Sequence, residues 1–77
     1  MPVISKREQA VFQAIARGGT TEEVGRELFL SPHTIRTYVQ TGLRKMNART
    51  RAQGVAVAID RGFISSAADD GLLLKTG

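Results

Sequence analysis

Apolar residues recur three or four positions apart through most of this chain, and no stretch alternates as a strand would. That period is the signature of amphipathic helices. Each periodic stretch also opens on a start signal. Ser5-x-x-Glu8, Thr20-x-x-Glu23 and Thr50-x-x-Gln53 have the form of capping boxes. In such a box a hydroxyl accepts a backbone N–H, while the Glu or Gln reaches back to the cap residue. Ser31-Pro32 is a fourth start, with Ser at the cap and Pro at the first helical position, where its missing N–H costs nothing.

These signals predict four helices. The first runs from about Lys6 to Arg17 and buries Val11, Phe12 and Ile15; Gly18-Gly19 ends it, since glycine accepts the left-handed cap. The second, Thr21 to Phe29, buries Val24 and Leu28, with Gly25 placed for a close helix approach. The third, Pro32 to Met46, is about 22 Å long at about 1.5 Å per residue. Its core stripe is Ile35, Val39, Leu43 and Met46, and Asn47 is expected in the left-handed position after it. The fourth, Arg51 to Arg61, is apolar over much of its circumference. The fold class is therefore all-α. A short helix followed almost at once by a longer one is the pattern of a helix-turn-helix. Residues 1–64 are expected to form the domain and 65–77 a flexible tail.

Charge sharpens this picture. The net charge is +4, but its distribution matters more: from Ser31 to Ile59 there is no acidic residue, while Arg36, Arg44, Lys45, Arg49 and Arg51 all fall there. Acid gathers instead at Glu22, Glu23 and Glu27 and at Asp69-Asp70. A one-sign stretch of this kind favours a polyanionic partner. With no cysteine there is no disulfide framework, thiol nucleophile or Cys-based zinc site. No apolar run approaches the roughly 18 residues of a membrane span, and Met1 to Lys6 has no signal-peptide core. The absence of cysteine fits a cytosolic setting.

The third helix carries the candidate chemistry. His33, Arg36, Thr37, Gln40 and Arg44 gather opposite its core stripe. Arg donates two hydrogen bonds to guanine, Gln pairs with adenine, and a Thr methyl meets a thymine methyl. A helix fits the major groove, where its N-terminal half meets base edges. Arg44, Lys45, Arg49 and Arg51 suit phosphates, and the helix N-termini at Thr20, Thr21 and Ser31 offer backbone N–H groups as well. Taken alone, such a face is equally an ordinary solvated surface, and His33 equally a surface residue. The short turn, the lack of acid and the buried stripe together favour nucleic acid. Tyr38 reads as flanking packing and Ser31 first as a cap.

Ile4-Ser5-Lys6-Arg7-Glu8, Gly18-Gly19-Thr20-Thr21-Glu22-Glu23-Val24, Leu28 through Val39, and Leu43 through Ala52 together resemble the LuxR/GerE-type helix-turn-helix domain. The resemblance spans roughly Ile4 to Ile64 and implies a four-helix, DNA-binding regulator of bacterial transcription. It implies base contacts from His33, Arg36, Thr37 and Gln40, and phosphate contacts from Thr34, Arg44 and Lys45. The fourth helix commonly dimerises in such domains, which here points to Val57, Ala58 and Arg61. Gly42 and Gly54 depart from the pattern. Each weakens a helix by roughly 1 kcal/mol relative to alanine. Gly42 either loosens the recognition helix or makes room for a close neighbour. Gly54 bears on the dimer arrangement. Many members carry a receiver or ligand-binding domain before the DNA-binding one, and 77 residues leave no room for it, so the likeness is either to stand-alone members or to the DNA-binding part of a longer protein.

The expected partners are thus double-stranded DNA and a second copy through the fourth helix, with RNA polymerase as a further candidate, no membrane and no cofactor; the setting the resemblance implies is the bacterial cytoplasm, at the nucleoid. A competing reading is a protein-interaction module that forms mixed dimers with a larger regulator or contacts RNA polymerase; the apolar fourth helix and the segment Asp69 to Leu74 motivate it. An enzyme is not expected: His33 is the one histidine, and neither a metal-ligand spacing nor a phosphate-cradling glycine loop occurs.

Overall fold

The computed structural model describes residues 3–65. Within them lie helices α1 (Lys6–Ala16), α2 (Thr21–Leu28), α3 (Pro32–Lys45) and α4 (Arg51–Asp60), with no strand among the described residues. Ser5 and Thr20 form complete capping boxes with Glu8 and Glu23. Ser31 Oγ accepts the Thr34 N–H at 3.1 Å above Pro32. The third expected box is displaced. Thr50 accepts the Gln53 N–H at 3.1 Å, but Gln53 Oε1 takes the N–H of Arg49 at 2.8 Å rather than that of Thr50. The Thr50 φ of −130°, against −71° at Ser5 and −76° at Thr20, turns its own N–H away.

Each helix stops one residue before its expected end, because that residue is already a cap. After α1, Gly18 is left-handed; its N–H donates to the Ile15 carbonyl at 2.9 Å, and the Gly19 N–H to that of Ala14 at 3.2 Å. Asn47 (φ 56°) does the same after α3, and Gly62 (φ 78°) after α4. After α2 the left-handed residue is Phe29, φ 59°, where a bulky side chain is strained by on the order of 1 kcal/mol. The residue is 93% exposed. The Leu30 N–H then closes on the Gly25 carbonyl at 2.8 Å. Gly25 therefore serves the turn rather than a helix approach: a Cβ there would lie 2.5 Å from the Leu30 carbonyl oxygen.

The core is built around Phe12. With Val11, Val24 and Ile35 it is fully buried, and Ile4, Ala14, Val39, Met46, Ala58 and Ile64 complete the cluster. Ile15, Leu28 and Leu43, expected inside, are only half-buried at its edge, as is Tyr38. Gly42 on α3 and Gly54 on α4 form the seat of the Phe12 ring. A Cβ at Gly42 would overlap Phe12 Cε2, and one at Gly54 would overlap Leu43 Cδ2 and lie 3.1 Å from Phe12 Cε1. The two glycines thus cost helix propensity but let α1, α3 and α4 close on one aromatic ring.

Candidate nucleic-acid interface

The α3 stripe divides as its period demands. Ile35, Val39, Gly42 and Met46 face the core, leaving His33, Arg36, Thr37, Gln40 and Arg44 exposed along one side at helical spacing. The Thr37 hydroxyl donates to the His33 carbonyl at 3.1 Å, which fixes its rotamer and leaves lone pairs and a methyl outward. Among the described residues no carboxylate pairs with Arg36, Arg44 or Arg49. The first turn of α3 holds no acid either. The face therefore presents donors and positive charge that the fold itself leaves uncompensated.

Ser31 and Thr34 make a small relay beside this face. Ser31 Oγ donates to Thr34 Oγ1 at 2.9 Å while accepting the Thr34 N–H. The Thr34 hydroxyl proton is thereby left to donate elsewhere. At the start of α2, Thr20 and Glu23 satisfy each other, at 2.8 and 3.2 Å. The Thr20 backbone N–H, its hydroxyl and then nearby Arg26 hold the Glu23 carboxyl below its ordinary value. Thr21 has a partner from far along the chain: Arg51 Nη2 donates to Thr21 Oγ1 at 2.7 Å. That bond places a guanidinium from the start of α4 at the positive end of α2. Sequence reading proposed Thr21 and Arg51 separately, with nothing to signal that they meet.

Two of the residues expected at an interface are engaged by the fold itself. Lys45, its side chain 32% exposed, is less open than Arg36, Arg44 and Arg49. Its ammonium lies 3.0 Å from Glu8 Oε1, whose side chain is only 4% exposed. A buried carboxylate left without a cation would be costly, so Lys45 is used within the fold. Glu8 had been visible only as a capping residue; the spacing of α1 against α3 that buries it is a tertiary fact. Ala58 is fully buried, so its methyl belongs to the core and offers nothing to a second copy. Val57 is half-buried and Arg61 exposed. The tail segment Asp69 to Leu74 lies outside the described residues.

Comparison with known proteins settles the lineage. Residues 2–58 match the family model described as bacterial regulatory proteins, luxR family. This chain belongs to the luxR family. Spore germination protein GerE of Bacillus subtilis is 33% identical over 61 residues, a stretch covering 79% of this chain and 82% of GerE. The uncharacterized transcriptional regulatory protein YvfU of the same organism is 34% identical over 79% of this chain, but this chain spans only 30% of YvfU. Among solved structures, that of the transcription factor GerE superposes with a TM-score of 0.79 at 23% identity, covering 84% of this chain and 97% of that one; this likeness shows the fold alone. A Vibrio cholera VqmA–ligand–DNA complex gives a TM-score of 0.73 at 25% identity over 82% of this chain and 28% of VqmA. The four-helix luxR-family fold expected from the residues is thus the fold observed. No helix among the described residues is long and apolar enough to cross a membrane.

Proposed function

We propose that this luxR-family chain regulates transcription by binding double-stranded DNA, with α3 in the major groove. The observation that carries the reading is the exposed, acid-free stripe of His33, Arg36, Thr37 and Gln40 backed by Ile35 and Val39. These four side chains read base edges. Phosphates are held by Arg44 and Arg49, by the Ser31–Thr34 hydroxyl pair, and by the N-terminus of α2 with Thr20, Thr21 and Arg51. GerE is named a transcription factor and VqmA was solved with DNA, which supports the same direction.

Two copies bind paired half-sites through the outward side of α4, with Val57 on that helix and Arg61 one turn on at its C-cap, four residues apart. The setting is the bacterial nucleoid. The test is selection of bound duplexes from a random DNA pool, followed by affinity measurement across salt concentrations. A recovered motif with two half-sites and a steep fall of affinity with salt is the expected result. Failure to enrich any duplex would overturn the reading.

A further inference from the structure

Phe29 is poorly suited to the place it occupies. It is left-handed and 93% exposed, whereas Gly18, Asn47 and Gly62 fill the matching positions after the other three helices. Glycine or asparagine takes that conformation at lower cost, and the described fold does not use the ring as core. The ring walls a surface groove lined also by Leu28, Ala10, Lys6, Arg7 and Glu27. Glu27 pairs with Arg17 at 3.4 Å, but neither Lys6 nor Arg7 meets a carboxylate among the described residues. An apolar floor with two unpaired cations at its rim calls for a segment that is both apolar and acidic.

The chain carries such a segment in Asp69-Asp70-Gly71-Leu72-Leu73-Leu74. Its point of departure is fixed. The Ser65 N–H donates to Gln13 Oε1 at 3.0 Å, and Gln13 Nε2 donates to the Ser65 carbonyl at 2.9 Å. Gln13, Ala10 and Lys6 share one stripe of α1, being three and four residues apart. The groove therefore starts about 10 Å or less along α1 from the anchor. The seven residues from Ser65 to Leu72 reach up to about 23 Å, ample for the crossing.

We propose that residues 69–74 of the same chain bind this groove, with Leu72 to Leu74 against Phe29 and Leu28 and with Asp69 and Asp70 meeting Lys6 and Arg7. The segment covers the exposed aromatic at the α2–α3 turn and leaves the outward stripe of α3 open. This inference does not rest on the DNA-binding reading.

The full chain has no cysteine, so Thr76→Cys gives a single site for a nitroxide label. In an isotope-labelled amide spectrum, Lys6 to Ala10 and Leu28 to Leu30 are expected to lose most of their intensity. Adding Leu72→Ser, Leu73→Ser and Leu74→Ser should restore it, with the remaining resonances unmoved as proof that the domain is folded. A mixture in which one chain carries the nitroxide and another the isotope should show no loss. No broadening of these residues, broadening that survives the serine substitutions, or broadening as strong in the mixture, which would make a second copy the occupant, would each overturn the proposal.

Discussion

Lys45 Nζ lies 3.0 Å from Glu8 Oε1, and the same carboxylate oxygen accepts the Ser5 N–H at 2.7 Å. One buried acid thus caps the start of α1 and ties down the last turn of α3. The reading stripe of α3 is thereby fixed against the body of the domain at its far end, while Ile35 and Val39 fix it nearer the start. Burial pushes the Glu8 carboxyl up. The Ser5 N–H, the Lys45 ammonium and the Ser5 hydroxyl outweigh that and hold it below its ordinary value of 4.5.

A depressed carboxyl pKa stabilises the fold above its ordinary value, and that contribution is lost as pH falls through the lower folded value. Urea unfolding between neutral pH and strong acid should therefore show stability falling below pH 4.5. Glu8→Gln should remove part of that fall, having no carboxyl to protonate. Lys45→Ala should cost about 1–3 kcal/mol at neutral pH, since it leaves a buried carboxylate with one partner fewer. A Lys45→Ala protein as stable as the parent would show that the pair is idle.

Gly42→Ala sets two effects against each other. In an exposed helix the change would stabilise by up to about 1 kcal/mol through propensity. Here the new methyl overlaps the Phe12 ring, and overpacking a filled core costs about 1–3 kcal/mol. The expected net result is destabilisation, measured as a lower urea midpoint. Phe12→Leu should cost less in the Gly42→Ala background than alone, because the smaller side chain vacates the disputed space.

Much of this domain can be read from local rules, and the failures share one cause. Caps and stripe period lie within a few residues of each other, so helix starts, Asn47 at the α3 end and the exposed His33–Gln40 stripe follow directly from spacing. What a local reading misses is who sits across the core. Lys45 and Glu8 are 37 residues apart, and Arg51 and Thr21 are 30 apart. The glycines at 42 and 54 look like weaknesses until the Phe12 ring is seen between them. Ala58 resembles its apolar neighbours Val57 and Ile59 in sequence, and only the packing of α4 on α1 decides that it alone of the three is fully buried.

The Arg51–Thr21 contact separates stability from binding. It is exposed, so Arg51→Ala should change unfolding free energy by no more than about 1 kcal/mol. If the pair forms a phosphate seat at the start of α2, the same change should reduce the salt slope of DNA binding by about one. Arg51→Lys should keep most of that slope, having kept the charge, while losing the fork that reaches both Thr21 and a phosphate oxygen. A slope unchanged in Arg51→Ala would remove this residue from the interface.

Arg36 and Arg44 lie on the same stripe but are assigned different work, and one experiment distinguishes them. Arg36 sits in the first half of α3, where side chains meet base edges; Arg44 sits in its last turn. Replacing a base-reading arginine costs about 1–3 kcal/mol and relaxes preference at one position, whereas losing a phosphate contact weakens all duplexes alike. Arg36→Ala should therefore narrow the affinity gap between the selected duplex and a scrambled one. Arg44→Ala should lower both affinities in parallel and flatten the salt dependence. Parallel losses in both variants would mean that Arg36 merely anchors the backbone, leaving sequence reading to His33, Thr37 and Gln40.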